Sequence, residues 1–364
     1  MSQRAVFAAA VFVASLLLSV LLVPLSKALA RRFGVLDTPG HRKIHEAPTP
    51  RLGGIAVFAA FVAIVLGGYL LTPSLRELPL VTERVAEAMQ LFRTIDRIGG
   101  RLAAILLGAA IAFGVGLLDD FLGARFPWGF KAAGQVAGAV VVVAAGVHTS
   151  FLPWAWLNWL VTLVWIVGIT NAFNLLDNMD GLSAGVACVA SGVLLMNAWW
   201  RGEFFISLIL LAFIGSLLGF LFYNFHPASV FLGDCGSLFI GFVMATLTLL
   251  ERYVTTGSSG YFPVVMPVVV LAVPLMDTLT VIAIRMRDGR PIYVGDRSHL
   301  SHRLVAIGFT RREAVVFIYL ATFCLGAGAV MLPDASIGET ALLAAQAAGI
   351  GLVLLRLMFV ERQS

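Results

Sequence analysis

Leu157 to Gly181 reads L-N-W-L-V-T-L-V-W-I-V-G-I-T-N-A-F-N-L-L-D-N-M-D-G. The run 157–169 is apolar and rich in tryptophan, whereas Thr170 to Gly181 carries Asn171, Asn174, Asp177 and Asp180 at every third position. In a helical or 3₁₀ turn that spacing points the four side chains roughly one way, so an apolar helix is predicted to end in a column of oxygen ligands. Asn and Asp also serve as caps, and Gly181 can close a turn. Near lipid, however, a central Asp costs about 3 kcal/mol, and polar residues placed this way are functional by default.

The rest of the chain supplies the lipid setting. Of 364 residues 60% are hydrophobic and 12% charged, with a mean hydropathy of +0.95, whereas an ordinary globular domain carries about 25% charge. Runs long enough to cross a bilayer fall at 5–26, 54–71, 102–118, 131–147, 154–173, 182–200, 204–222, 236–250, 262–284, 313–332 and 338–358. The expectation is an all-α polytopic integral membrane protein of eleven transmembrane helices, with residues 1–364 as a single domain. Ala28-Leu29-Ala30 has the look of a cleavage site, but the preceding apolar core is longer than that of a signal peptide, and Lys27, Arg31 and Arg32 follow it. The first run is therefore read as a retained helix.

With the N-terminus outside, segments 27–51, 125–131, 285–312 and 356–362 lie inside and hold 17 of the 25 Lys and Arg, leaving 8 outside. This asymmetry obeys the positive-inside rule and predicts a cytoplasmic C-terminus in a plasma membrane. The basic pI of 9.4 reflects it, and nothing points to nucleic acid. Cys188, Cys235 and Cys324, odd in number and within or beside spans, imply no disulfide framework.

Five polar segments fall on the inner side, at about 31–53, 119–131, 171–181, 223–237 and 285–312. The first contains R-K-I-H-E-A-P-T-P-R-L-G-G, in which Lys43, His45 and Arg51 accompany two prolines and a Gly pair, a tight loop suited to approaching phosphate. The second opens with Asp119 and Asp120, and Lys131 follows. Adjacent carboxylates raise one another's pKa unless a cation neutralises them, so a divalent metal or a shared proton is expected. The fourth places Asp234 between Gly233 and Gly236, with Phe231 nearby. The fifth holds Asp296, His299, His302 and Arg303; on a helix these share one face, opposite Leu300, Leu304 and Ile307. The outer segment 72–101 carries Val85, Met89 and Phe92 at helical spacing, the pattern of an amphipathic surface helix. Carboxylates for a hard cation, cations for phosphates and an aromatic for a base together fit Mg²⁺-assisted phosphoryl transfer.

From Arg42 to Arg303 the motifs R-K-I-H…P-T-P-R-L-G-G, L-L-D-D, N-L-L-D-N-M-D-G, F-L-G-D-C-G-S and D-R-S-H-L-S-H-R resemble those of the polyprenyl-phosphate N-acetylhexosamine-1-phosphate transferases. The first motif is similar to the WecA/TagO branch rather than to MraY. The resemblance implies transfer of a sugar 1-phosphate, GlcNAc-1-phosphate foremost, from a UDP-sugar to undecaprenyl or another polyprenyl phosphate. UMP would be released, and a cell-envelope glycan such as O-antigen or teichoic acid begun. It implies that Asp234 holds Mg²⁺, with Mn²⁺ able to substitute, and that Asn174 and Asp177 line the metal and pyrophosphate site. Asp119 would serve the lipid phosphate with Asp120 beside it, and Lys131 would contact phosphate. Asp180 and Phe231 would hold uracil, while His299, His302 and Arg303 would face the sugar and diphosphate. A homodimer is one option for assembly. Where this branch commonly shows H-x-H-H, the chain has Ser301 in the middle position. On a helix residue 301 points about 100° from each neighbour and need not share the histidine face.

Two other classes use intramembrane aspartates. An aspartyl protease of the G-x-G-D type would need Gly where Phe231 stands and has no use for the basic loop. A secondary transporter would set its ionisable groups near the midplane of repeated halves, whereas here they gather at one edge.

Overall fold

The computed structural model describes residues 3–37, 48–76, 86–251, 253, 262–291 and 298–359. Lys43, His45, Val85 and Asp296 lie outside the described residues, as do the side chains of Met89 and Phe92. The described residues are all-α apart from one antiparallel two-residue pair, β1 (Leu36–Asp37) with β2 (Thr49–Pro50), in which Leu36 faces Pro50 and Asp37 faces Thr49.

The helices are α1 (Gln3–Phe33), α2 (Gly54–Arg76), α3 (Ala86–Leu122), α4 (Trp128–Ala144), α5 (Ala155–Leu176), α6 (Leu182–Trp200) and α7 (Phe204–Asn224). They continue with α8 (Gly233–Leu250), α9 (Met266–Val270), α10 (Ala272–Arg287), α11 (Leu300–Ala306), α12 (Arg311–Met331) and α13 (Ile337–Met358). Among the described residues nine helices are long and apolar enough to cross a membrane, and Trp128–Ala144 is a shorter apolar helix.

Two expectations change at this level. The run 262–284 is not one helix: a 3₁₀ turn leads into α9, and a break at Leu271 separates α9 from α10. Pro274 explains the break, because it has no N–H to offer the Val270 carbonyl and its ring crowds that turn. The outer segment is helical from Ala86 onward but not separate. α3 runs unbroken for 37 residues, about 55 Å at the helical rise, so its first turns extend past a hydrocarbon core of about 30 Å.

α8 is the hub, buried along most of its length; it packs against α2, α3 and α5. Around it α1 lies on α7 and α2, α6 lies between α7 and α12, and α4 bridges α3 and α5. Lipid tails are as apolar as leucine, so helices within a bilayer associate through close packing and polar contacts. The α1–α7 seam uses both. A Cβ on Gly215 would stand 2.6 Å from the Phe12 carbonyl oxygen and one on Gly219 2.6 Å from that of Leu16. Beside them Ser15 donates to the Ala212 carbonyl at 2.5 Å and Ser19 to the Ser216 carbonyl at 2.7 Å. Cys188, Cys235 and Cys324 are free thiols.

Candidate active site

The hub helix α8 begins at the site. Its first two residues after Gly233 would leave backbone N–H groups without intrahelical partners. Asp120, at the end of α3, supplies them: Oδ1 accepts from the Asp234 N–H and Oδ2 from the Cys235 N–H, both at 2.9 Å. The fit needs bare backbone. Gly233 has φ +78°, and a Cβ there would lie 2.3 Å from the Arg51 carbonyl oxygen and 2.6 Å from Asp120 Oδ2.

The segment after β2 closes the same corner. Phe231 N–H donates to the Pro50 carbonyl at 2.8 Å, while the Gly53 and Gly54 N–H groups donate to the Phe231 and Leu232 carbonyls at 2.9 and 2.8 Å. Arg51 is thereby held so that Nε lies 3.3 Å from Asp120 Oδ1 and an Nη 3.2 Å from Asp234 Oδ2. Burial works against the Arg51 charge, but Asp234 and then Asp120 more than offset it, and the guanidinium pKa is raised.

Lys131, one turn into α4, stands 2.8 Å from Asp119 Oδ2 and 3.5 Å from Asp234 Oδ1. Asn174 Nδ2 donates to Asp234 Oδ1 at 2.6 Å and to Ser237 Oγ at 2.8 Å. Asp234 therefore has Arg51, Lys131 and Asn174 on its carboxylate. The adjacent aspartates turn to different cations. Asp119 turns to Lys131, whereas the Asp120 side chain, fully covered, turns to Arg51 and the start of α8. Asp120, placed beside Asp119 in the sequence, thus caps α8 from another helix.

The oxygen column also divides. Asn171 exchanges amide hydrogen bonds with Gln135 of α4 at 2.6 and 3.4 Å, so it joins helices instead of the site. Asn174 reaches Asp234. Asp177, just past α5, has its pKa pushed up to about 8, mainly by burial, with Asp234 adding to the shift and Arg51 opposing it. Asp180 Oδ2 takes His226 Nδ1 at 2.7 Å and the Ala228 N–H at 3.1 Å. Asn224 ties the same loops together, accepting from the Gly181 N–H at 3.0 Å and donating to the Val230 carbonyl at 2.9 Å. Phe231 is half-buried beside them.

The basic segment is helical from Leu300, with His299 as the extended residue before it. His302 and Arg303 thus lie on α11, but His299 does not continue their face. It is 3% exposed and turns inward, Nδ1 2.7 Å from Asp277 Oδ2 on α10. The His299 and His302 rings remain 6.4 Å apart, edge to face. Ser301 leaves the histidine face as expected, but it is buried and donates to Asn178 Oδ1 at 2.5 Å. Leu300 and Leu304 form the buried side. Arg303 Nε is buried with no hydrogen-bond partner among the described residues.

Asp277, Asn178, His226 and Gln135 were missed by sequence reasoning. The signal for Asp277 was present, since it is an acidic residue inside the apolar run 262–284.

Among the described residues no three His, Cys, Asp or Glu side chains stand together as a ready metal cage. The oxygen donors that converge are the carboxylates of Asp234 and Asp119, both on Lys131, with the Asn174 amide beside them. Such a set suits Mg²⁺, which is usually held by one or two carboxylates with substrate phosphates completing its shell.

Residues 102–251, which carry most of this cluster, match the glycosyl transferase family 4 model. The chain is 35% identical over 348 residues to a probable undecaprenyl-phosphate N-acetylglucosaminyl 1-phosphate transferase of Bacillus subtilis, covering 93% of this chain and 88% of the relative. It is 31% identical over 328 residues to a decaprenyl-phosphate N-acetylglucosaminephosphotransferase of Mycobacterium tuberculosis, covering 81% and 74%. The Escherichia coli undecaprenyl-phosphate alpha-N-acetylglucosaminyl 1-phosphate transferase is 28% identical over 322 residues, covering 84% and 78%. Such likeness along nearly the whole chain excludes the protease and transporter readings: this chain belongs to the polyprenyl-phosphate N-acetylhexosamine-1-phosphate transferases and is a phosphoglycosyltransferase.

Proposed function

We propose that the chain transfers N-acetylglucosamine 1-phosphate from UDP-N-acetylglucosamine to a polyprenyl phosphate, releasing UMP, at the cytoplasmic face of the plasma membrane. The product would be the lipid-linked first sugar of a cell-envelope glycan. The observation that carries this reading is the alternation of Asp119, Lys131, Asp234 and Arg51, drawn from four segments to one corner. The polyprenyl-phosphate specificity in the relatives' names supports the acceptor, and the positive-inside count supports the cytoplasmic side.

The reaction joins two anions. An oxygen of the acceptor phosphate attacks the β-phosphorus of the UDP-sugar, the bond from that phosphorus to the bridging oxygen breaks, and UMP leaves with the electron pair. The acceptor already carries negative charge near neutral pH, so it needs alignment more than deprotonation. Lys131 and Arg51 reduce the repulsion between the two phosphates, and Asp119 and Asp234 hold those cations in place. His302 and Arg303 are donors for the sugar diphosphate. Mg²⁺ would be held by Asp234 and the Asn174 amide oxygen, and when bound it neutralises charge on the diphosphate.

The test is incubation of the purified protein with undecaprenyl phosphate, Mg²⁺ and a panel of UDP-sugars. UMP release with UDP-N-acetylglucosamine that depends on the lipid supports the reading. Release with no lipid, or with none of the panel, contradicts it.

A further inference from the structure

The buried pair Asp277–His299 has no part in the chemistry just described. Asp277 is 2% and His299 3% exposed. Asp277 Oδ1 accepts the Leu300 N–H at 2.7 Å, and Oδ2 lies 2.7 Å from His299 Nδ1. A backbone N–H can only donate, which fixes which carboxylate oxygen faces the ring. That oxygen is in turn satisfied by a hydrogen on Nδ1.

We propose that Asp277 is a positioning residue that locks His299 in the Nδ1–H form, so that Nε2 is presented as a hydrogen-bond acceptor to a hydroxyl or acetamido N–H of the donor sugar. This rests on the proposed placement of the basic segment against the sugar. Its geometric support is independent: the ring is held from behind by Asp277, and the same short helix is held from the side by Ser301 on Asn178, next to Asp177. An acceptor nitrogen reads sugar donors but gives nothing to a phosphate oxygen. The pair would therefore act on selection of the sugar, not on the transfer step.

Asp277→Asn inverts the arrangement with little change of shape. The amide oxygen keeps the Leu300 N–H, the amide NH₂ faces the ring, and Nδ1 must now accept, which moves the ring hydrogen to Nε2. The experiment combines ¹⁵N spectra of histidine-labelled protein with kinetics against UDP-N-acetylglucosamine. In the wild type, the His299 resonances lost in His299→Ala should report a protonated Nδ1 and an unprotonated Nε2; in Asp277→Asn they should exchange. Asp277→Asn should raise KM for the UDP-sugar about 10- to 100-fold, the range usual for the partner that orients a histidine. KM for polyprenyl phosphate should change by less than about twofold, and in a His299→Ala background Asp277→Asn should add less than about twofold.

A wild-type ring protonated on Nε2, or on both nitrogens, overturns the proposal without any variant having to fold. An equal effect of Asp277→Asn in both backgrounds overturns it too, since Asp277 would then act only on the fold. Should His299→Ala bind and turn over UDP-N-acetylglucosamine like the wild type, the placement of His299 at the sugar fails and the inference fails with it.

Discussion

Asp120 and Asp234 meet through carboxylate and backbone: Asp120 Oδ1 accepts the Asp234 N–H at 2.9 Å, so the end of α3 fixes the start of α8. Asp234 is thereby placed by a helix cap and a glycine with φ +78°, and its own carboxylate remains directed at Lys131, Arg51 and Asn174.

This relationship separates two adjacent aspartates by experiment. Asp120→Asn can keep only one of the two N–H contacts and loses the Arg51 pair, so it should cost about 1–3 kcal/mol of stability. Thermal unfolding in detergent measures this. Asp119→Asn, whose partner is the half-buried Lys131, should leave the melting temperature nearly unchanged but lower turnover at least about tenfold, with a smaller effect on KM for the UDP-sugar. Equal melting temperatures for the two variants would refute the division of roles.

Ser301 is 1% exposed and bonded to Asn178. Ser301→Ala should therefore cost about 1 kcal/mol. Ser301→His overpacks the site and should cost about 1–3 kcal/mol unless Asn178 is reduced at the same time. Paired melting curves of Ser301→His and the double variant with Asn178→Ala test this, the double variant being expected to melt higher.

At the other end of α8, Glu251 is 6% exposed, accepts from Asn197 Nδ2 at 2.7 Å through one oxygen, and leaves the other buried with no hydrogen-bond partner among the described residues. Burial pushes its pKa from 4.5 up to about 8. A raised carboxyl pKa means that the folded state holds the extra proton. The associated stability is present below about pH 4.5 and is lost as pH rises through about 8. Between pH 6 and 9 the loss should be on the order of 2 kcal/mol, seen as a falling melting temperature that Glu251→Gln flattens. An identical pH slope in that variant would place the titration elsewhere.

The sequence carried the architecture because length and hydropathy decide membrane helices almost alone: α5, α6, α7 and α8 begin and end within a few residues of the apolar runs at 154–250. It misread 262–284 because hydropathy does not register the missing N–H of Pro274. It singled out Asp119, Lys131, Asn174 and Asp234, which the fold brings to one corner, because polar groups are costly at the edge of a span, but residue type alone cannot say which oxygen faces a substrate and which a backbone N–H. Asp120 caps α8, Asn171 pairs with Gln135 and Asp180 holds His226, and each of those partners lies far away in sequence. Helical periodicity also placed His299 on the α11 face, whereas the helix starts one residue later and Asp277 draws the ring inward.

The central claim is that the corner built on Asp234 is where the sugar phosphate is transferred. The most direct measurement is the rate of UMP release by Asp234→Asn, with undecaprenyl phosphate, UDP-N-acetylglucosamine and Mg²⁺ all saturating. Loss of the charge opposite Lys131 and Arg51, and of the expected metal ligand, should reduce the rate at least about a thousandfold, while the melting temperature stays within a few degrees of the wild type. A variant that turns over within about tenfold of the wild type, roughly 1.4 kcal/mol of barrier, would contradict the account.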